Sequence, residues 1–140
     1  MNLSEHICFK TYAVSRYITG LYKPHLDKIS LTYPQYLVMV VLWEYGGMSI
    51  GRIGEYLHLD NGTLTPLLKR MEKNGLLIRT RSSEDERVVI VTLTENGTKL
   101  KDKAKHIPNA VQKCMDLDNE TKTLLMIPLN KILTGSNFRI

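Results

Sequence analysis

The chain has 140 residues, 43% of them hydrophobic and 24% charged, the makeup of one globular domain that can hold a core without disulfides or metal. Nineteen Lys and Arg against fourteen Asp and Glu leave a net charge of +5 and a pI near 9.2, which favours a polyanionic partner. The longest strongly apolar run, Tyr36 to Trp43, falls far short of the ~20 residues a transmembrane helix needs. The N-terminus, MNLSEHICFK, lacks a basic-then-apolar signal pattern, so the sequence reads as cytoplasmic. Cys8 and Cys114 make no disulfide framework in a reducing compartment and read as inert or sensing thiols.

In chain order, apolar residues at helical spacing from residue 3 to 29 (Ile7, Val14, Ile18, Leu21, Leu26, Ile29) predict a helix capped by Ser4, with a kink or a helix junction at Pro24. Thr32 caps a second helix with Pro34 in its first turn, and the run from Tyr36 to Trp43 is apolar nearly all round, as in a buried helix ended by Gly46 and Gly47. Ser49 caps a short helix carrying Ile50, Ile53 and Leu57. Asp60 caps the next, which runs to about Asn74 and stops at Gly75. In it Leu64, Leu67, Leu68 and Met71 form one apolar stripe. The opposite face centres on Gly62, Pro66, Lys69 and Lys73, flanked by Thr63 and Arg70 on one side and Thr65 on the other. Pro66 has no N–H to give and fits only near the helix start. From Leu76 the period changes: residues 76–81 and 87–93 are rich in β-branched groups and alternate, with a polar tip between them. Thr94 is expected to cap a long helix reaching roughly to Cys114 with a bend at Pro108, and Asp118 a last helix through Ile132 containing Pro128. The tail after Gly135 is expected to fray.

Two short capped helices followed at once by a two-stranded ribbon spell a winged helix-turn-helix: a mainly α fold with a small β-hairpin wing, one compact domain in which residues 49–105 form the DNA-binding region. The charge agrees. Residues 61–81 carry Lys69, Arg70, Lys73, Arg79 and Arg81 against a single acid, Glu72. A lysine-rich helix face is ordinarily just solvated. Here it also carries Thr63 and Thr65 at its leading end, beside Asn61, and runs into a polar hairpin, the layout of a groove-reading helix with its wing.

The run Asp60 to Gly97, DNGTLTPLLKRMEKNGLLIRTRSSEDERVVIVTLTENG, resembles the MarR family of winged-helix regulators, and is most similar to its OhrR-like, organic-hydroperoxide and oxidation-sensing branch. A second block, Cys8-Phe9, Tyr12, Tyr22-Lys23-Pro24 and Thr32-Tyr33-Pro34-Gln35-Tyr36, is similar to the sensor region of that branch. The resemblance spans roughly residues 5 to 107. It implies a homodimeric repressor in which residues 1–48 and 106–140 supply interleaved dimerisation helices, the fourth helix reads the major groove of an inverted-repeat operator in double-stranded DNA, and the wing reaches the minor groove. There Arg87, oriented by Asp85, would insert where a narrow groove concentrates negative potential.

The same resemblance gives Cys8 a role. A lone cysteine on an amphipathic helix is usually packing. In this branch the thiolate is the sensor of peroxide or another oxidant, hydrogen-bonded by tyrosines that correspond here to Tyr22 and Tyr33, with Tyr12 on the same helix as the thiol. Oxidation to a sulfenic acid would be followed, in two-cysteine members, by an intersubunit disulfide, here Cys8 to Cys114, and by release of the operator. The alternative within the fold is a repressor released by a small aromatic ligand between the dimerisation and DNA-binding regions, with Cys8 structural. A thiol peroxidase and an architectural DNA protein are the readings from other classes. No nucleophile elbow, phosphate loop, dinucleotide pattern or paired carboxylates point to an enzyme or to a cofactor. His6, Cys8, His25, His58, His106 and Cys114 have no metal-ligand spacing.

Overall fold

The computed structural model describes residues 2–135; the expected fraying of the tail beyond Gly135 lies outside them. Seven helices and three strands follow in the order α1 (Ile7–Leu26), α2 (Tyr33–Tyr45), β1 (Met48–Ser49), α3 (Ile50–Leu57), α4 (Asn61–Lys73), β2 (Leu77–Arg81), β3 (Val89–Leu93), α5 (Glu95–Ala104), α6 (Ile107–Met115) and α7 (Asn119–Gly135). Single 3-10 turns precede and follow α1.

Most helix starts lie where the capping residues put them. Ser49 accepts from the Arg52 amide, Asp60 from the Thr63 amide at 2.9 Å, Thr94 from the Gly97 amide and Asp118 from the Thr121 amide. At the start of α2 the Gln35 side chain also accepts from the Thr32 amide at 2.9 Å, closing a capping box. Three expectations need correction. Ser4 caps nothing: it lies in the leading 3-10 turn, whose cap is Asn2, and α1 starts only after His6. Of the two alternatives at Pro24, the helix junction does not hold: α1 runs through it to Leu26 before a 3-10 turn closes it at Ser30, a residue in the left-handed region. The helix expected from Thr94 to Cys114 is two helices. The ring of Pro108 would strike the carbonyl of Ala104 if α5 continued, so the chain breaks at Lys105 and His106, and α6 begins with Pro108 in its first turn. Pro66 is the sixth residue of α4, in its second turn. Its ring faces the carbonyl of Gly62, which is exposed and gives up a helical partner without being buried.

The hairpin register pairs Leu77 with Leu93 and Arg81 with Val89, and β1 adds Met48 opposite Val91, giving a three-stranded antiparallel sheet in the order β1-β3-β2. Two residues are too few for an alternating pattern, which is why β1 leaves no trace in the sequence. The core is a single cluster. Met39 of α2, Ile53 of α3, Leu64, Leu68 and Met71 of α4 and Val91 of β3 are sealed from solvent, and Leu26, Ile107 and Val111 extend the same cluster between α1 and α6. The predicted stripe of α4 is its buried face. By contrast α7 buries nothing, and Leu124, Ile127 and Ile132 on it, with Ile7, Tyr12 and Val14 on the first half of α1, are apolar and exposed.

One contact sets the geometry of the winged unit. Gly97, in the first turn of α5, lies so close to the chain behind α4 that a Cβ there would stand 2.0 Å from the carbonyl oxygen of Leu76. Gly51, in the first turn of α3, has open space around it. Gly97→Ala is therefore expected to cost about 1–3 kcal/mol in urea unfolding, whereas Gly51→Ala should be neutral or stabilising by up to about 1 kcal/mol. Equal midpoints for the two variants would refute this placement of Gly97.

Candidate nucleic-acid interface and thiol site

Helix α4 presents one continuous exposed face made of Asn61, Gly62, Thr63, Pro66, Lys69, Arg70 and Lys73, with Thr65 half-buried at its edge. The sequence pattern assigns all of these but Asn61 to one side, and one side holds them. The Thr63 hydroxyl donates to Asp60 at 2.7 Å, so its remaining capacity toward a partner is as an acceptor. The same bond, with that from the Thr63 amide, holds the Asp60 carboxyl below its ordinary range, and an ionised carboxylate stays at the helix start.

The wing is built by short bonds within its own loop. Ser82 and Val88 close the strand ends through a 2.8 Å backbone bond, and the Arg81 guanidinium donates to the carbonyl of Glu86 at 2.8 Å. Asp85 accepts from the Arg87 amide and twice from its guanidinium, each at 3.0 Å, while the Arg87 side chain keeps 90% of its surface exposed. Asp85 thus aims Arg87 outward from the tip. Hydrogen bonding to Arg87 holds the Asp85 carboxyl low.

Arg79 is placed differently from its neighbours. Its guanidinium and its own amide both bond to Glu72, at 2.8 to 3.0 Å, and its side chain is only 21% exposed. Arg79, expected among the DNA contacts, forms a clamp that ties the last turn of α4 to β2. Glu72 is in a helix and Arg79 in a strand, with a turn between them, so no single periodicity relates the two. The pair fixes the angle between helix and wing. The bond to Arg79 holds the Glu72 carboxyl below its usual range.

Cys8 is the second residue of α1, in the first turn, and exposed; Cys114 lies one residue before the end of α6, also exposed. Because α1 starts later than the sequence suggested, the Cys8 thiol sits among the unpaired backbone N–H groups at the positive end of the helix. Tyr12 follows one turn on, and Arg16 donates to its hydroxyl at 3.1 Å. Tyr22 and Tyr33 do come together, with ring centroids 4.9 Å apart, and Tyr36 joins them at 5.6 Å and 6.4 Å. Burial pushes all three phenols up, Tyr36 to about 12, so each keeps its proton and can donate it. Tyr22, however, is fourteen residues from Cys8 on an unbroken helix, or about 21 Å. A single chain does not bring Cys8 to these tyrosines. The His25 and His106 rings approach to 6.2 Å, and among the described residues no three His, Cys, Asp or Glu side chains converge to hold a metal.

Comparison with known proteins supplies the context. Residues 20–104 match the family model of the SarA/Rot transcriptional regulators. The chain is 53% identical over 111 residues to the organic hydroperoxide resistance transcriptional regulator of Bacillus subtilis, covering 79% of this chain and 76% of that one. The chain belongs to the MarR-like winged-helix transcriptional regulators. Among solved structures, overoxidised AbfR bound to DNA is 37% identical, with a TM-score of 0.78 over 95% of this chain and 93% of that one. Disulfide-formed AbfR is 34% identical with a TM-score of 0.67, over 94% and 92%. A crystal structure of AbfR gives Staphylococcus epidermidis as its source.

The Glu72–Arg79 clamp has a pH signature. A carboxyl held low in the folded state contributes stability above its unfolded pKa, and that contribution is lost as pH falls through the folded value. Urea midpoints of the wild type should therefore fall between pH 6 and pH 3, and Glu72→Gln should lower the midpoint at pH 6 while flattening part of that fall. Parallel pH profiles for the two proteins would show that the clamp adds nothing.

Proposed function

We propose that this regulator is a homodimeric repressor whose grip on an inverted-repeat operator is released when Cys8 is oxidised. The observation that carries the reading is the exposed Cys8 in the first turn of α1, in a chain more than half identical over 111 residues to a regulator named for organic hydroperoxide resistance. Two exposed apolar surfaces, on the first half of α1 and along α7, support the dimer, since a chain of this size seldom leaves a whole helix without a buried residue. The 21 Å between Cys8 and Tyr22 supports it again: the thiolate can gain the Tyr22 and Tyr33 hydroxyls from a second subunit, with its own Tyr12 beside it.

In the reduced dimer α4 enters the major groove of each half-site through Asn61, Thr63, Thr65 and Pro66. Lys69, Arg70, Lys73 and Arg81 serve the phosphates, and Arg87, aimed by Asp85, enters the minor groove. Arg79 acts behind them through Glu72. A hydroperoxide then oxidises the sensor. The Cys8 thiolate attacks the distal peroxide oxygen, the O–O bond breaks, the alkoxide leaves and takes a proton as alcohol, and Cys8 becomes a sulfenic acid. The Cys114 thiol of the other subunit displaces that hydroxyl as water, forming a disulfide. The chain's fold matches DNA-bound AbfR better than disulfide-formed AbfR, at TM-scores of 0.78 and 0.67, which favours reading it as the binding-competent arrangement.

Fluorescence anisotropy on DNA from upstream of the protein's own gene tests the reading. Reduced protein should bind tightly and selectively. One equivalent of organic hydroperoxide should abolish binding and dithiothreitol should restore it, and Cys8→Ser should bind but ignore peroxide. Binding by the wild type that ignores peroxide would overturn the redox switch and turn attention to a ligand-released repressor. Replacing Lys69 or Lys73 with Ala should weaken binding to all sequences and reduce the slope of log affinity against log salt by about 1; an unchanged slope removes that lysine from the phosphate contacts.

A further inference from the structure

Trp43 lies near the end of α2, outside the winged unit, half-buried, and is the only tryptophan of the chain. Its indole N–H donates to the carbonyl of Gly97 at 2.9 Å. In return the Lys101 ammonium donates to the Trp43 carbonyl at 3.1 Å, satisfying an acceptor that the end of α2 leaves open. Gly97 is the residue pressed against Leu76. Its amide donates to the Thr94 hydroxyl at 3.0 Å, the same hydroxyl donates to the carbonyl of Gly75 at 2.7 Å, and the Thr94 amide donates to Leu76 at 3.1 Å. Gly75 and Leu76 are the turn that ends α4. A short run of bonds thus joins the indole of Trp43 to the rear of the DNA-reading helix.

The other end of the run is the tyrosine cluster. Tyr33, Tyr36 and Trp43 fall on one stripe of α2, with Tyr36 and Trp43 rings 6.4 Å apart edge to face, and Tyr36 against both Tyr22 and Tyr33. The indole is half-buried at the edge of the core cluster. Two surface cavities border it, one of about 290 Å³ among Tyr36, Val40, Lys101 and Ala104 and one of about 280 Å³ among Leu42, Gly47, Leu93 and Lys101. The Gly97 bond gives the ring a directional contact that apolar packing alone does not supply.

We propose that Trp43 is a positioning residue for DNA recognition: its bond to Gly97 holds the start of α5, and through Gly97 and Thr94 the end of α4, in the attitude that reads the operator. Where this describes the oxidised state it rests on the redox reading above: a displaced tyrosine cluster lets the indole turn into a cavity and frees the winged unit. Trp43→Phe keeps a ring and loses the donor. Reduced Trp43→Phe should bind the operator about five- to tenfold more weakly, the order of one lost hydrogen bond. Its salt slope should be unchanged, because no phosphate contact is lost. Wild-type affinity in this variant, or a shallower slope, would overturn the proposal.

Fluorescence of the unaltered protein decides the matter even if the variant does not fold. Peroxide-treated protein released from DNA should show Trp43 emission shifted to the red and quenched more by iodide than in the reduced, operator-bound protein. Release with unchanged emission and quenching would overturn the proposal. Should the wild type ignore peroxide altogether, the redox reading fails by itself. The affinity of Trp43→Phe and the emission of free against operator-bound protein then still decide the role of Trp43.

Discussion

The carbonyl of Leu76 meets α5 at a place where only glycine fits. With Gly97 pressed against that oxygen and Thr94 bonded to both Gly75 and Leu76, the end of α4, the start of β2 and the start of α5 form one joint. The rest of the winged unit follows from it. The buried stripe of α4 is held at a fixed angle over Ile53 and Val91, Glu72 and Arg79 bind helix to wing from the other side, and the exposed face from Asn61 to Lys73 points outward with the wing tip beside it. Recognition of a groove needs such rigidity, since contacts to base edges tolerate only a few tenths of an ångström.

The two halves of the molecule differ in how complete they are. The reading half closes its own core, caps its helices and orients Arg87 within one chain. The half that holds Cys8 does not: α7 buries no residue, the first half of α1 is bare, and the thiol and Tyr22 stand at opposite ends of α1, with Tyr33 and Tyr36 on α2 beside Tyr22. On the proposed dimer that incompleteness has a use. A thiol pocket assembled from two chains lets a change at the sulfur act on the interface itself, where rigid bodies can shift, and not on a packed core that resists deformation.

Much of this was legible in the residues. The periods of 3.6 and 2, the caps Ser49, Asp60, Thr94 and Asp118, and the stops at Gly46 and Gly75 located the winged helix and the polar face of α4, because each is a local rule acting on adjacent residues. What escaped was non-local or too short. The strand β1 has two residues and borrows its partners, Val91 for Met48 and Ile90 for Ser49, from far along the chain. Arg79 reads as a free cation until its bond to Glu72 is seen. Trp43 reads as one more core aromatic, since nothing in an apolar helix announces a bond to a carbonyl 54 residues away. The start of α1 was misjudged because Ser4 obeys the capping rule in composition but stands in a 3-10 turn, leaving Cys8 nearer the helix end than expected.

The position of the joint decides how small a disturbance suffices for release. Helix α4 has thirteen residues, so it is about 20 Å long. Its C-terminal end meets the joint at Gly75, its buried stripe packs along the core of the winged unit, and Asn61 and Thr63 stand at the far end, so the unit turns with the helix. A turn of roughly 10° at the joint moves that leading end by about 3 Å, the length of a hydrogen bond. Lys69, Arg70 and Lys73, closer to the pivot, move less and would stay within reach of the phosphates proposed for them. On the proposed contacts, a small rotation therefore removes sequence reading before it removes charge attraction, and in the proposed dimer it does so at two half-sites whose spacing the duplex fixes. A regulator built this way needs no unfolding and no large domain motion. It needs a pivot that holds in one state and yields in the other, placed behind the helix that reads.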